Sequence, residues 1–155
     1  MKILISGQHG QVSRELQTHL KGLGELVVLG REQLDLADPA QIRHQVQSIR
    51  PHLIINAAAH TAVDQAESEP DLAFAINATA PQVFAEQAQE LGIPLIHYST
   101  DYVFDGSKNA PYTEADAPNP LSVYGRSKRA GEQAISAVAG QHLILRTSWV
   151  YSTHG

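Results

Sequence analysis

Tyr124 and Lys128 stand four residues apart in a stretch with helical periodicity. Residues four apart are neighbours on one face of a helix, so the phenol and the ammonium group would project from the same face. A cation beside a phenol favours the phenolate and lowers the tyrosine pKa towards neutrality, where tyrosine can give or take a proton. The pair is therefore a candidate to protonate the alkoxide formed when hydride reaches a carbonyl carbon. The same spacing also arises by chance in ordinary surface pairs.

A second group of polar residues follows an apolar run that is typical of a buried strand. Ser99, Thr100 and Asp101 come in sequence at the end of this run. Ligands of open α/β sheets bind outside the carboxyl ends of the strands. The hydroxyl of Thr100 is therefore a candidate to hydrogen-bond the carbonyl oxygen that Tyr124 would protonate. Small residues follow another such run at 57–59, which would let a flat cofactor lie close to the backbone.

A glycine loop lies directly after the first apolar run. Gly7 and Gly10 are followed by Gln11, Val12 and Ser13, a near match to the dinucleotide-binding fingerprint. Glycines in such a loop let the backbone approach a pyrophosphate, whose charge then sits at a helix N-terminus. Serine takes the place of the third glycine, and it is small enough for close packing of the helix on the strand. A tight turn without a ligand is the alternative interpretation.

The end of the second apolar run bears on the choice of cofactor. An acidic residue there would bind the adenosine ribose of NAD, but this chain has Gly30 at that place and Arg31 next to it. A guanidinium group suits a 2′-phosphate, which favours NADPH or the use of both NADPH and NADH. The alternative is that Arg31 is a solvated loop residue.

Short apolar runs alternate with longer amphipathic stretches, a pattern typical of β-α-β units. We predict an α/β fold with a Rossmann-type, doubly wound parallel sheet. The predicted strands cover 2–6, 25–29, 53–56, 94–99 and 142–147, and the predicted helices 11–22, 39–49, 71–91 and 123–139. Asp38 is the predicted cap of the second helix, with Gln41 completing a capping box. Pro81 should kink or divide the third helix.

The composition excludes several classes of protein. Eleven Lys and Arg stand against sixteen Asp and Glu, a net charge of −5, so nucleic acid and anionic membranes are unlikely partners. The chain has no cysteine, which excludes disulfide scaffolds and thiolate zinc sites. No run of residues has the length of a signal-peptide core or a membrane span. We expect a cytoplasmic protein.

Four segments together carry a resemblance to a known family. They are 56–67, 99–106, 124–128 and 146–151. On these segments the chain resembles the extended short-chain dehydrogenase/reductase family, and within it the dTDP-4-dehydrorhamnose reductases. The resemblance implies a dTDP-sugar substrate: NADPH or NADH would reduce the C4 keto group of dTDP-4-dehydro-6-deoxy-L-mannose to give dTDP-L-rhamnose. A homodimer is also expected.

The resemblance also implies roles for individual residues. Tyr124 would donate the proton, Lys128 would lower its pKa and hold the nicotinamide ribose, and Thr100 would tune the tyrosine and orient the carbonyl. Glu15 is the candidate magnesium ligand. The candidate cofactor-binding residues, with Tyr124 and Lys128, are Gly7, Gly10, Gln11, Val12, Arg31, Asp35, Leu36, Ala57, Ala59, His60, Thr61 and Tyr98. The candidate substrate-binding residues are Thr100, Asp101 and Trp149.

Members of this family are about twice as long as this chain and carry a second part that closes over the nucleotide-sugar. We therefore expect residues 1–155 to be an NAD(P)-binding Rossmann domain, the N-terminal half of a longer protein, with the substrate domain outside these residues. Two alternatives stay open. One is a non-catalytic NAD(P)-binding regulatory module of the same family. The other is a reductase or epimerase for a different nucleotide-sugar.

Overall fold

Five parallel strands form one sheet in the structure, a computed structural model that describes residues 1–138 and 140–153. The strands are β1 (Lys2–Ser6), β2 (Glu25–Leu29), β3 (Leu53–Asn56), β4 (Leu95–Thr100) and β5 (His142–Thr147), in the order β2-β1-β3-β4-β5. Four of them have the predicted bounds, and β4 lies one residue later than predicted at both ends. The α/β prediction is confirmed.

The strand order determines where a ligand can enter. The chain runs outwards from β1 to β2, then crosses back to β3 on the other side of β1. Between β1 and β3 the connections therefore diverge, and in doubly wound sheets this switch point opens a crevice at the carboxyl ends of the strands. Ser6 and Asn56, the last residues of these two strands, are register partners at that point.

The helices cover the two faces of the sheet unequally. They are α1 (Gln11–His19), α2 (Pro39–Ile49), α3 (Val63–Ser68), α4 (Pro70–Phe74), α5 (Ala80–Leu91) and α6 (Val123–Val138). One core cluster joins α2, α5 and α6 to Leu4, Ile54 and Leu95, and a second lies under α1 around Ile3, Ile5 and Ile55. Within the described ranges no helix is long and apolar enough to cross a membrane.

Helix α1 is shorter than predicted, because it ends at His19 rather than at residue 22. The chain must turn back here to start β2 beside β1, and the backbone N–H of Glu25 donates to the carbonyl of Met1 at 2.9 Å. Gly24 has a φ of +158°, and a Cβ there would overlap the Met1 carbonyl. The predicted end of α6 at residue 139 lies outside the described residues.

Asp38 caps α2 as predicted, but the capping box is wrong. The Asp38 carboxylate accepts from the backbone N–H groups of Ala40 at 2.9 Å and Gln41 at 3.1 Å. The side chain of Gln41 instead accepts from the backbone N–H of Asp35. Gln41 therefore fixes the loop that leads from β2 into the helix, rather than closing the first turn of the helix.

The third predicted helix, 71–91, is divided in the structure, and the division lies just before Pro81. Helix α3 has no counterpart among the predicted helices. Residues Ala75–Thr79 form a π turn between α4 and α5. Pro81 is the second residue of α5 and has no N–H to donate to the carbonyl of Asn77, four residues earlier. The wider π turn accommodates the missing bond and leaves the Asn77 carbonyl facing α6. A Cβ on Gly131 of α6 would overlap that oxygen.

This close approach predicts a large effect of Gly131→Ala. The new methyl group must push α6 away from the π turn, and we expect a loss of about 2 kcal/mol or more in the free energy of unfolding. Gly22→Ala is the matched control, since nothing lies within 4 Å of a Cβ there. Urea denaturation of both variants tests this, and equal stabilities would contradict the packing described.

Candidate active site

Two adjoining cavities open at the carboxyl ends of the strands, about 470 and 240 Å³ in volume, and both are bordered by Ala58 and Ala59. Of the predicted site residues, the larger is lined by Gly10, Gln11, Val12, Ala57, Ala59, Thr61, Tyr98, Thr100, Asp101, Tyr124, Lys128 and Trp149. The smaller is lined by Gly7, Arg31, Asp35, Leu36, Ala59 and His60. Glu15 borders neither of them. The structure thus brings every other predicted site residue to one continuous cleft.

The two loop glycines have different reasons to be glycine. Gly7 has a φ of +94°, and a Cβ there would lie 2.9 Å from the Cβ of Ala58, so the fold itself excludes a side chain. Gly10 precedes the first turn of α1 with an ordinary φ of −67°. A Cβ at Gly10 would meet only the Gly7 carbonyl, at 3.9 Å. The fold leaves room for a side chain there, so glycine at this position fits a ligand that approaches the helix N-terminus closely.

A buried polar atom at the same place also fits a ligand. Among the described residues, the side-chain oxygen of Gln11 is buried without a hydrogen-bond partner, and Gln11 borders the larger cavity next to Gly10. Buried polar groups are rarely left unpaired in native proteins. Ser13, at the third fingerprint position, is fully buried and lets α1 pack closely on the sheet. These residues fit a dinucleotide whose pyrophosphate lies at the start of α1.

The smaller cavity is lined by Arg31, Asp35 and Leu36, the residues expected on the adenosine side of the cofactor. Arg31 lies exposed at its edge, directly after β2. The Asp35 carboxylate accepts from the backbone N–H of Ala37 at 3.0 Å, while Gln41 holds the Asp35 backbone, so this wall is fixed. Arg31 brings a cationic side chain to the border of this cavity.

At the other end of the cleft, hydroxyl groups surround Tyr124. Thr100 caps the short turn after β4: its hydroxyl oxygen accepts from the N–H of Tyr102 at 3.2 Å and lies 3.2 Å from the Asp101 carboxylate. Thr100 also hydrogen-bonds the Tyr124 side chain. The Tyr102 ring stands edge-on to Tyr124, with 5.4 Å between centroids. Ser148 donates to Asp101 at 2.7 Å and ties the segment after β5 to this group.

The expected effect of Lys128 on Tyr124 is wrong in this structure. Burial raises the pKa of Tyr124 above its usual value of 10, the hydrogen bond from Thr100 lowers it, and Asp101 and Tyr102 raise it. Lys128 is not among the groups that shift this pKa. Its Nζ donates to the backbone carbonyl of Tyr98 at 2.6 Å. At neutral pH the Tyr124 phenol is therefore protonated.

Lys128 is itself deeply buried, with only 2% of its surface exposed. Burial lowers its pKa to about 8 from the usual 10.5, and the carboxylate of Glu132, one turn later on α6, raises it. Glu132 is equally buried and accepts from Arg146 at 2.7 and 2.8 Å and from Arg129 at 2.8 Å. Because these arginines neutralise it, Glu132 compensates little of the burial of Lys128.

Asn77 is a site residue that the sequence patterns do not single out. Its side chain donates to the His60 carbonyl and to the Ser127 hydroxyl, both at 3.0 Å, and accepts from the His60 N–H at 2.8 Å. It thus joins the loop after β3 to α6 beside Lys128. Pro81 could have pointed to Asn77 in the sequence, because a proline disturbs the helix around the residue four positions before it. The π turns that result are frequent at functional sites.

Over residues 1–155 the sequence matches the RmlD substrate binding domain family. The chain belongs to this family. It is 50% identical over 159 aligned residues to the dTDP-4-dehydrorhamnose reductase of Escherichia coli K12, covering 100% of this chain and 53% of that protein. A dTDP-4-dehydrorhamnose reductase structure from Clostridium acetobutylicum superposes with a TM-score of 0.95 at 42% identity, over 99% of this chain and 55% of that one.

The Bacillus anthracis dTDP-4-dehydrorhamnose reductase, solved in complex with NADP, superposes with a TM-score of 0.94 at 41% identity, over 99% of this chain and 55% of that one. These likenesses confirm the predicted family and Rossmann-type fold. This RmlD-family chain spans about half the length of the curated relatives it matches.

Trp149 is the most unusual cleft residue of this RmlD-family chain. Its side chain is 90% exposed and borders the larger cavity. Its backbone has a φ of +48°, the left-handed region, which costs a bulky residue on the order of 1–2 kcal/mol. An apolar ring in strained backbone at a cleft mouth is not explained by core packing. An indole face there offers a wall for a sugar ring.

Glu15, the candidate magnesium ligand, lies outside the two cavities of the cleft. It lies on α1 with its carboxylate 3.6 Å from the ring of His19. Magnesium takes about six oxygen ligands, of which several are usually waters or oxygens of a bound phosphate. Over 1–138 and 140–153, no three His, Asp or Glu side chains come together as a metal site.

The burial of Lys128 in this RmlD-family domain predicts a pH-dependent stability. Between pH 8 and 10.5 the unfolded chain holds a proton that the folded chain has released, so stability rises with pH. Below pH 8 the full cost of the buried charge is present. Relative to Lys128→Met, the wild type should gain about 3 kcal/mol in the free energy of unfolding from pH 7.5 to 10.5.

Urea denaturation across this range measures the gain. Lys21→Met, at an exposed position, is the control, and its difference from the wild type should not change with pH. A Lys128→Met difference that is equally flat would contradict the burial of a chargeable amine.

Proposed function

We propose that residues 1–155 are the NAD(P)-binding domain of a reductase. It transfers hydride from NADPH or NADH to the C4 keto group of dTDP-4-dehydro-6-deoxy-L-mannose, giving dTDP-L-rhamnose. The observation that carries the proposal is the single cleft with Gly10 at one side and Thr100, Tyr124 and Lys128 at the other. The names of the relatives supply the substrate.

The proton in this reaction comes from Tyr124. The cofactor, when bound, supplies the hydride, and the carbonyl oxygen becomes an alkoxide that takes the phenolic proton to give the alcohol. A raised pKa keeps the phenol protonated and ready at neutral pH. Thr100 orients the tyrosine and the carbonyl oxygen, since its hydroxyl reaches Tyr124. The phenolate left behind is reprotonated from solvent, and Lys128, one turn later on α6, would hold the nicotinamide ribose beside it.

The remaining cleft residues would bind the cofactor and the sugar and exclude water from the site. Gly10, Gln11 and Val12 would hold the pyrophosphate, and Asp35 and Leu36 the adenine. Ala57, Ala59, His60, Thr61 and Tyr98 would line the rest of the cofactor, and Asp101 and Trp149 would face the sugar. Glu15 is proposed only as one ligand of a magnesium site completed by groups from elsewhere. The proposed compartment is the cytoplasm, which suits residues 1–155 because they contain no cysteine and so no disulfide that would need an oxidising compartment.

Arg31 predicts a preference for NADPH over NADH. Isothermal titration of Arg31→Ala should show NADPH affinity reduced about tenfold, or about 1.4 kcal/mol, with little change for NADH. Gly10→Ala should weaken both cofactors, because its methyl group enters the cleft. Arg43→Ala and Gly22→Ala are the controls, since Arg43 pairs with Glu86 away from the cleft. If Arg31→Ala lost affinity for NADPH and NADH equally, Arg31 would have no role in binding the 2′-phosphate.

Tyr124→Phe should abolish turnover while leaving cofactor binding intact. Loss of a general acid costs on the order of 100-fold or more in rate. Oxidation of NADPH with the keto-sugar nucleotide, followed by absorbance, gives the rate. Tyr151→Phe, a tyrosine that is 91% exposed, is the control and should match the wild type. A Tyr124→Phe rate equal to the wild type would refute the role of the tyrosine.

A second candidate function is a non-catalytic NAD(P)-binding module. The observation that favours it is the span of the chain, about half that of its curated relatives. Cofactor binding without oxidation would support the module. Oxidation with another nucleotide-sugar, but not with the dTDP-sugar, would support a different reductase of this kind.

Sedimentation of the chain with and without cofactor tests the expected homodimer.

A further inference from the structure

A row of buried polar side chains crosses three strands behind the proposed catalytic residues. Ser6 on β1, Asn56 on β3 and His97 on β4 are neighbours in the strand register, so they share one face of the sheet. Each is 1% exposed. The Ser6 hydroxyl lies 2.6 Å from the side-chain oxygen of Asn56, and the Asn56 amide nitrogen lies 3.0 Å from Nδ1 of His97.

The row ends at Lys128. Its Nζ lies 3.4 Å from Nε2 of His97 and 2.6 Å from the Tyr98 carbonyl. The other titratable groups around this pair are Tyr124 and Glu132 on α6, Tyr98 on β4, and Asp101 in the turn after β4. Glu132 is occupied by Arg129 and Arg146. His97 therefore has a lysine and an amide as its side-chain partners.

Such a row has a direction, because an amide and a neutral imidazole each present one donor and one acceptor to their two neighbours here. An ammonium group can only donate. When Lys128 is charged, His97 must accept at Nε2, donate from Nδ1 to the Asn56 oxygen, and leave the amide nitrogen facing Ser6. When Lys128 is a neutral amine it can also accept, so every bond of the row can run in the opposite direction. In the structure the Asn56 oxygen faces Ser6 and the amide nitrogen faces Nδ1 of His97. This is the direction that goes with a neutral Lys128.

Leaving any of these links unmade is costly, since an unsatisfied buried polar group destabilises a protein by about 1–3 kcal/mol. His97 remains neutral in both directions, because burial, together with the charge of Lys128, holds its pKa well below the usual 6.5. Lys128 changes its charge near pH 8. The observed direction puts the His97 proton on Nε2, so it is fully paired only with a neutral lysine, whereas a charged lysine is fully paired only in the opposite direction.

We propose that Ser6, Asn56 and His97 form a reversible hydrogen-bond chain that reverses its direction when Lys128 exchanges its proton. His97 is then a positioning residue: it holds the Lys128 nitrogen beside the Tyr98 carbonyl in both protonation states. The step moves one proton between Lys128 and solvent, exchanges the two tautomers of His97, and rotates the Asn56 amide. Its use in catalysis rests on the proposed function, in which Lys128 must stay near Tyr124 through the proton transfer.

Nuclear magnetic resonance of the wild-type chain tests this without a substitution. The chain has four lysines and eight histidines, so 13C-labelled lysine and 15N-labelled histidine give resolvable spectra. Lys128→Met and His97→Gln serve only to assign the signals. We expect the 13Cε shift of Lys128 to titrate near pH 8. In the same step the proton of His97 should move from Nδ1 to Nε2, without an imidazolium signal.

A His97 tautomer that stays the same while Lys128 titrates would overturn the proposal, as would protonation of His97 above pH 6. A merely structural row predicts one fixed tautomer. Asn56→Asp sharpens the test, because a carboxylate only accepts and locks the row in the direction of the charged lysine. In that variant Nδ1 of His97 should keep its proton throughout, and the Lys128 titration should move up by one pH unit or more. Mobility of the tautomer in this variant would also overturn the proposal.

These measurements need neither cofactor nor substrate. A failure of the reversible chain therefore leaves the proposed reductase untouched, and a failure of cofactor binding leaves the reversible chain standing.

Discussion

The hydrogen bond from Nζ of Lys128 to the Tyr98 carbonyl is the contact on which the site depends. It joins α6 to β4 at the depth where the strands end, and it does so with a side chain that is almost wholly buried. Tyr124 lies one turn before Lys128, so this bond also sets the position of the phenol against Thr100. The partners that raise the lysine pKa are weak, since Glu132 is already neutralised by two arginines. The protein thus keeps an amine in a place that disfavours its charge.

Much of the fold could be predicted because a parallel sheet has a strong sequence pattern. Strands covered on both faces are continuous apolar runs, and four of the five had their bounds predicted to the residue. The departures lie in the segment 63–91, where α3 and the π turn depend on contacts across the fold. The Asn77 carbonyl faces Gly131, fifty-four positions further along the chain, and local periodicity cannot predict such a long-range contact. Gln41 likewise pairs with Asp35 rather than with the cap, because the loop geometry brings Asp35 closer.

The membership of the cleft was predictable, but its electrostatics were not. Motifs at strand ends must converge at one edge of a parallel sheet, so Gly10, Thr100 and Tyr124 meet in one cavity. Helical spacing placed Lys128 on the correct face, yet it could not show that the Tyr98 carbonyl takes the ammonium. The pKa of Tyr124 depends on that partner and on burial, which both arise from tertiary structure. Glu15 lies further along α1 near His19, on a neighbouring cavity that shares Gln11, Val12 and Tyr98 with the larger one.

Trp149 has a consequence of an optical kind. It is the only tryptophan in the chain, it is 90% exposed, and it stands at the mouth of the larger cavity. An indole in water emits at long wavelength, and an indole covered by an apolar surface emits at shorter wavelength. With no second tryptophan to obscure the signal, the colour of the protein's own emission reports whether anything lies against this wall. The emission of Trp149, a residue in the left-handed backbone region, therefore reports whether the cleft is occupied.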